Sequence, residues 1–252
     1  MEAGVTSGMR SKDETITSSQ DNYDALRHVS EESPCPYLAG HHARSEAYRV
    51  DALDGLLYEQ LLARGFRRSG RAVYRPRCRA CCECRSIRIP TDLFLPSRSM
   101  RRIQRRNADV RVEAQAPVST DEKFELFCQY LDAQHDETMV RDFDSYRKFL
   151  YDSPIKTVEF EYRLGDRLIA VGLADQWSGG LSSVYTYFDP RMADRSLGTF
   201  SVLWEVDYCR RNGLPYYYLG YYVAESGKMA YKSRFRPNEV LVADNRWVMF
   251  RE

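Results

Sequence analysis

Residues 183–237 read SVYTYFDPRMADRSLGTFSVLWEVDYCRRNGLPYYYLGYYVAESGKMAYKSRFRP. Val184, Tyr185, Thr186, Tyr187 and Phe188 have strand chemistry, and Asp189-Pro190 ends the run. Arg195-Ser196-Leu-Gly198-Thr-Phe200 leads into a helical stretch over residues 200–211, then a second strand over 215–220 and a Lys-bearing segment, Lys228 to Lys232. A strand, a Gly-bearing turn and a helix N-terminus together offer backbone N–H groups and a positive dipole to a phosphate. Nine of the 18 tyrosines lie here. The stretch predicts an acyl-transfer site whose donor carries phosphates.

Upstream of it, residues 156–164, 167–177 and 181–188 read as consecutive strands separated by Gly165-Asp166 and Ser178-Gly-Gly180, an antiparallel meander with hairpin turns. Ser119-Thr-Asp-Glu122 is a capping box, opening a helix that buries Phe124, Phe127, Cys128 and Leu131. A second helix is expected over 144–151 and a last strand over 240–243. Pro117 marks a domain boundary. On its N-terminal side, Leu53, Leu57 and Leu61 place a helix within 50–65, with Gly65 at its C-cap. Strands follow over 66–74, 86–89 and 110–114. Ser97 or Ser99 caps a short helix ending at Asn107. Residues 1–33 are rich in Ser, Thr, Asp and Glu and lack periodicity, so they read as a disordered leader. The expected organisation is α+β: this leader, a small Cys/Arg-rich α+β domain over 34–117, and a transfer domain with an antiparallel-to-mixed sheet over 118–252.

No apolar run approaches the ~20 residues of a membrane span, and the N-terminus has no apolar signal core, so a soluble cytoplasmic protein is expected. Seven cysteines without a signal peptide read as thiols or metal ligands rather than disulfides. The net charge of +1 hides an asymmetry. Between Arg67 and Arg106 there are thirteen arginines, no lysine and two acids, Glu83 and Asp92. That +11 block is an electrostatic footprint for a polyanion or an acidic substrate, where a plain solvated face is the simpler alternative. Arg98, Arg101, Arg102, Arg105 and Arg106 fall at i, i+3, i+4, i+7 and i+8, one positive stripe on a helix.

Cys78-x-x-Cys81-x-x-Cys84 has a spacing that lets loop thiolates converge on one metal, with Cys35 as a fourth ligand. The alternative is a set of packed loop cysteines, since a second knuckle is missing. Tyr218, Gly220 and Tyr221, followed by Lys228, Tyr231 and Lys232, interleave aromatic and cationic groups, which suits stacking on a base and holding a phosphate. A buried tyrosine strand with solvated lysines explains the same pattern. Lys228 and Lys232 would share a helical face. The histidines form no Ser/His/Asp arrangement, and an activated ester donor would not need one.

With these residues in view the chain resembles the aminoacyl-tRNA–protein transferases, and among them the bacterial aspartate/glutamate leucyltransferases. The likeness rests on Cys35-Pro-Tyr37-Leu, Gly65-Phe-Arg-Arg-Ser-Gly70, Tyr74-Arg-Pro-x-Cys78-x-x-Cys81-x-x-Cys84 and Pro96-Ser-Arg-Ser. It continues through Arg105-Arg-Asn107, Tyr185-Thr-Tyr-Phe-Asp-Pro190, Arg195-Ser-Leu-Gly198-Thr, Tyr218-Leu-Gly-Tyr221 and Lys228-Met-Ala-Tyr-Lys232. It implies transfer of leucine from its tRNA to a protein beginning with Asp or Glu, giving a destabilising N-terminus. Arginine as the transferred group is the first alternative. The resemblance also implies an acetyltransferase-like (GNAT-type) fold in the C-terminal domain, whose motif Arg/Gln-x-x-Gly-x-Gly/Ala holds a pyrophosphate. Here Phe200 replaces the small last residue, which argues against coenzyme A and hence against an acyl-CoA-dependent N-acetyltransferase. A metal-stabilised RNA-binding module without catalysis is the remaining rival. Eukaryotic relatives carry metal or iron–sulfur ligands as two cysteine pairs, and Leu38 stands in the second place of the first pair. The chemistry requires no cofactor, because the ester is already activated and the α-amine, with a pKa near ~7.7–8, needs mainly positioning. Asp175 as base or amine anchor, with Tyr185 and Lys232 beside it, is the expected catalytic set.

Overall fold

The computed structural model describes residues 27–134, 141–242 and 245–250. Most of the expected leader, residues 1–26, and His135 lie outside these. The leader's last residues are ordered: β1 (Arg27–Val29) pairs with β4 (Ser45–Arg49), and β2 (Ser33–Pro34) with β3 (His42–Ala43). Pairing to a partner strand, absent from the local pattern, gives this polar segment its structure.

Helix α1 (Gly55–Ala63) begins where the Asp54 carboxylate accepts from Leu57 N at 2.8 Å, and Gly65 leaves it at φ +81°. The expected strand over 66–74 is a hairpin, β5 (Arg67–Ser69) and β6 (Ala72–Pro76), turned at Gly70. The order β1-β4-β6-β5 makes a four-stranded sheet. After β7 (Arg85–Pro90), Ser97 caps α2 (Arg98–Arg106), which leads to β8 (Val110–Gln115). Thr120, not Ser119, caps α3 (Asp121–Gln134), accepting from Lys123 N. Its buried face is Lys123, Leu126, Phe127 and Leu131, and Cys128 is only half-buried. Asp142 caps α4 (Phe143–Leu150). The meander is β9 (Thr157–Leu164), β10 (Arg167–Trp177) and β11 (Gly180–Phe188). Then follow α5 (Leu197–Arg211), β12 (Tyr216–Tyr222), β13 (Glu239–Val242) and β14 (Arg246–Met249).

The main sheet has eight strands in the order β14-β13-β7-β12-β11-β10-β9-β8. The expected boundary at Pro117 does not divide it: β7 and β8 precede that residue and hydrogen-bond into the sheet, β7 at an interior position between β13 and β12. One face packs on α5 through Phe160, Ile169, Leu203, Val206 and Tyr217. The other packs on α3 and α4 through Phe127, Tyr146, Val171 and Tyr187. A third cluster joins α1 to the sheet through Tyr58, Leu62, Trp177 and Tyr218. Among the described residues no helix is long and apolar enough to cross a membrane.

Candidate active site

Strands β11 and β12 are the parallel pair of this mostly antiparallel sheet, joined through α5. They are in register only at Leu181–Tyr217 and Ser182–Tyr218, and then part. Both bulge where they part. The β10–β11 register skips Val184, and the β12–β7 register skips Leu219 just before Gly220 at φ +94°. Bulges there re-aim backbone groups out of the ladder, a common device beside functional sites.

Two cations occupy the parting. Arg67 on β5 donates through Nη2 to the Ser183 carbonyl of β11 at 2.7 Å. Lys232, in the short 3-10 turn Ala230–Arg234, donates to the Tyr221 carbonyl of β12 at 2.9 Å. A Cβ added at Gly220 would stand 3.3 Å from Lys232 Nζ and 3.7 Å from Arg67 Nη2, so both cations converge on this glycine. Burial, reinforced by the Arg67 charge, pushes the Lys232 ammonium down to about 7.

The neighbouring residue on β5 points the other way. Arg68 Nε lies 2.8 and 3.0 Å from the two carboxylate oxygens of Asp175 on β10, with both side chains fully buried. Tyr58 donates to Oδ2 at 2.7 Å and Thr157 to Oδ1 at 2.9 Å. Asp175 therefore does not face an open cleft as expected; it positions Arg68. Its register partner is Ser182, and Tyr185 stands farther along β11 opposite Leu173, so the structure does not bring Asp175 and Tyr185 together. Tyr185 is half-buried among the rings of Phe127, Tyr130 and Phe149.

The basic stripe and the helix turn do come together. Arg98, Arg101, Arg102, Arg105 and Arg106 are all exposed on α2. The end of α2 is tied to the turn before α5: Arg106 donates to the Asp194 carbonyl, and Asn107 Nδ2 to the Arg195 carbonyl at 2.9 Å. Arg195 itself is not free for a ligand, since its fork holds Asp109 at 2.8 and 3.0 Å and depresses that carboxyl. Ser196, at φ +55°, begins α5 without a side-chain cap, and an added Cβ at Gly198 would meet Phe188 at 3.3 Å.

Several expectations are corrected. Phe200 is buried against Tyr162 on the core side of α5, so it does not obstruct a pyrophosphate as expected. Tyr218 is buried, accepting from Arg88, and Tyr221 is buried, donating to the Gly65 carbonyl; neither ring offers a stacking face. Tyr231 keeps an exposed one. Lys228 precedes the 3-10 turn and is exposed whereas Lys232 is buried, so the two do not share a helical face.

Cys35, Cys78, Cys81 and Cys84 line one cavity of about 240 Å³ with Tyr37, Tyr74 and Tyr221. All four are free thiols, and burial together with the other three pushes the Cys84 thiol up to about 12. Among the described residues no three His, Cys, Asp or Glu side chains form a group that could hold a metal ion. The four cysteines line one cavity without forming such a group in this arrangement.

The residues missed from sequence alone are Arg67, Arg68, Tyr58 and Glu205. Glu205 on α5 is fully buried and accepts from Tyr217 at 2.6 Å and Tyr162 at 3.1 Å. Burial raises it to about 7. The only local signal was the Gly65–Gly70 segment, where two adjacent arginines sit on a predicted strand.

Residues 33–102 match the family model described as "Arginine-tRNA-protein transferase, N terminus", and residues 122–242 match "Arginine-tRNA-protein transferase, C terminus". An aspartate/glutamate leucyltransferase of Paramagnetospirillum magneticum is 42% identical over 221 residues, covering 86% of this chain and 90% of that one. One of Chromobacterium violaceum is 41% identical over 218 residues, covering 85% and 89%. Among solved structures, FemX is similar at 11% identity with a TM-score of 0.45, covering 81% of this chain and 66% of that one. On the two family matches and the near full-length relatives, the chain belongs to the arginine-tRNA-protein transferase family of aminoacyltransferases.

Proposed function

We propose that the chain transfers leucine from leucyl-tRNA to the α-amine of proteins beginning with Asp or Glu, marking them for degradation through their new N-terminus. The observation that carries this reading is the parting of β11 and β12 beside the N-terminus of α5, with the exposed arginines of α2 fastened alongside. An opening between two parallel strands is what an acetyltransferase-like fold, expected from the sequence, would use for its donor, and in this reading it receives the aminoacyl ester. Arg98, Arg101, Arg102, Arg105 and Arg106 take acceptor-stem phosphates, with Ser196, Gly198 and Lys228 nearer the 3′ end. Tyr231 stacks on a terminal base. The half-buried rings of Tyr130, Tyr185 and Phe149 suit a leucyl side chain.

In the reaction the α-amine attacks the ester carbonyl, a C–N bond forms, the C–O bond to the ribose breaks, and the amine proton leaves with the ribose hydroxyl. The tetrahedral oxyanion needs preorganised donors, which backbone N–H groups at the Val184 and Leu219 bulges can supply. The ester is already activated, so positioning supplies most of the rate and no cofactor enters the step. A cytoplasmic location follows from the need for charged tRNA. The tyrosine phenols buried around the opening, Tyr58 and Tyr217, are raised above their usual range by burial, so they act as hydrogen-bond donors rather than bases.

The test offers leucyl-tRNA and arginyl-tRNA separately with peptides beginning Asp, Glu, Lys or Arg. Leucyl transfer to Asp and Glu peptides is expected. Transfer only from arginyl-tRNA would change the donor, and transfer only to Lys or Arg peptides the acceptor. Tight coenzyme A binding with acetyl transfer would replace the reading by an N-acetyltransferase. RNA binding without turnover would leave a binding module.

A further inference from the structure

Four cationic side chains are buried among the described residues: Arg67, Arg68, Lys123 and Lys232. Two of them are neutralised in the ordinary way. Arg68 meets Asp175, and Lys123 meets Glu159 and Glu161. The other two, Arg67 at 5% exposure and Lys232 at 8%, have no carboxylate. Their hydrogen bonds go to main-chain carbonyls, one on each of the two parting strands, and Arg67 Nη1 is buried with no partner at all. They are also neighbours, converging on Gly220, and the Arg67 charge adds to burial in disfavouring the Lys232 ammonium.

Leaving a buried charge uncompensated costs several kcal/mol, and two like charges side by side cost more. A fold that neutralises Arg68 and Lys123 but leaves this pair open carries that cost at one place, the mouth of the strand opening. The missing partner is an anion small enough to enter between two side chains that are more than nine-tenths buried. A carboxylate has the lone pairs to accept from Arg67 Nη1 and Lys232 Nζ together. A nucleic-acid backbone instead meets the exposed arginines of α2.

We infer that Arg67 and Lys232 form the pocket that reads the acidic side chain of the acceptor's first residue, seating its carboxylate beside Gly220 with the α-amine at the parting of β11 and β12. This rests on the transfer reading above. In it Lys232 is a specificity residue, not the base, and Asp175 serves the pocket at one remove by fixing Arg68 and with it β5. The neutral analogue of each acceptor, Asn for Asp, would leave both cations unpaired and is rejected for that reason.

Two measurements test it. First, thermal shift of the unmodified protein is measured with Asp- and Asn-starting peptides, without tRNA. The Asp peptide should raise Tm and the Asn peptide should not; equal shifts would overturn the inference. Because no donor is present, selective Asp binding alongside no leucyl transfer would sink the transfer reading and leave the pocket standing. Second, kcat/KM is measured for both peptides with Lys232→Met and Arg67→Met. A fall of roughly 30-fold or more for the Asp peptide, mainly in KM, with the Asp/Asn ratio moving toward one, is expected. An unchanged Asp/Asn ratio with a raised KM for leucyl-tRNA would overturn it, assigning the pair to a donor phosphate.

Discussion

Arg68 and Asp175 meet with Nε 2.8 Å from Oδ2, both side chains fully buried, 107 residues apart in the chain. This pair anchors the β5 hairpin to β10, and with it the adjacent Arg67. Asp175→Asn would leave the Arg68 guanidinium buried opposite a neutral amide. Breaking such a pair costs about 3–5 kcal/mol, which for a chain of this size lowers Tm by roughly 10 °C. A thermal melt checks the loss. The pH profile of the residual activity should keep its shape; a lost acidic limb would instead restore Asp175 as a base.

Glu205 gives a pH signature. Its carboxylate faces Tyr162 on β9 and Tyr217 on β12, with Cys209 one turn along α5. Burial raises it from 4.5 to about 7. The folded state thus holds this proton where the unfolded chain has lost it. The contribution is fully present below about pH 4.5 and is lost as pH rises toward 7. Glu205→Gln mimics the protonated form, so its stability relative to wild type should grow across that window. The gain at pH 8 should be on the order of 2 kcal/mol, vanishing near pH 4.5. Denaturant titrations at the two pH values decide it, and a constant difference would contradict the assignment.

Gly220 is held at φ +94°, between Arg67 and Lys232. Gly220→Ala adds roughly 1–2 kcal/mol of backbone strain and pushes a methyl toward Lys232 Nζ. We expect a modest drop in Tm with a larger loss in kcat/KM for the Asp peptide than the strain alone accounts for. Gly165→Ala, also at positive φ but with no neighbour within 4 Å of its Cβ, should cost similar stability and spare activity.

The exposed stripe on α2 should set the salt dependence. Replacing Arg98, Arg102 and Arg105 by Gln one at a time should lower affinity for tRNA, and each lost phosphate contact should reduce the log–log salt slope by up to about 0.9. Arg195→Gln should behave differently, lowering Tm slightly through loss of its Asp109 contact and leaving the slope alone. Filter binding between low and moderate salt separates the two.

The elements legible in the sequence are those whose pattern is local. The meander strands, the helix ending before Gly65 and the helix after Ser97 are legible from alternation, apolar spacing and terminal residues within a few positions of one another, whereas the Asp54 and Asp142 caps emerge only in the structure. What was not legible depends on distant partners. Adjacent Arg67 and Arg68 look like an exposed strand, and only Ser183 and Asp175, more than 100 residues on, bury them. The tyrosines of β12 suggested a stacking surface because composition does not tell which face of a strand meets a helix. Most of them face one: Tyr217 packs toward α5 and Tyr218 toward α1. Phe200 likewise has a motif position but a core orientation, set by the phase of α5.

The interior place of β7 in the eight-stranded sheet bears on how the two matched segments can be handled. β7 belongs to the first by sequence and borders β12 and β13 of the second. Expressed alone, the C-terminal segment would lose the strand between them and expose two unpaired edges, a template for self-association. Supplied together as separate polypeptides, the segments should behave as a split-protein reporter, insoluble apart and reconstituting only by strand complementation. If they do, the two matched segments fold as one unit, and the second would not stand as an independent domain without the first.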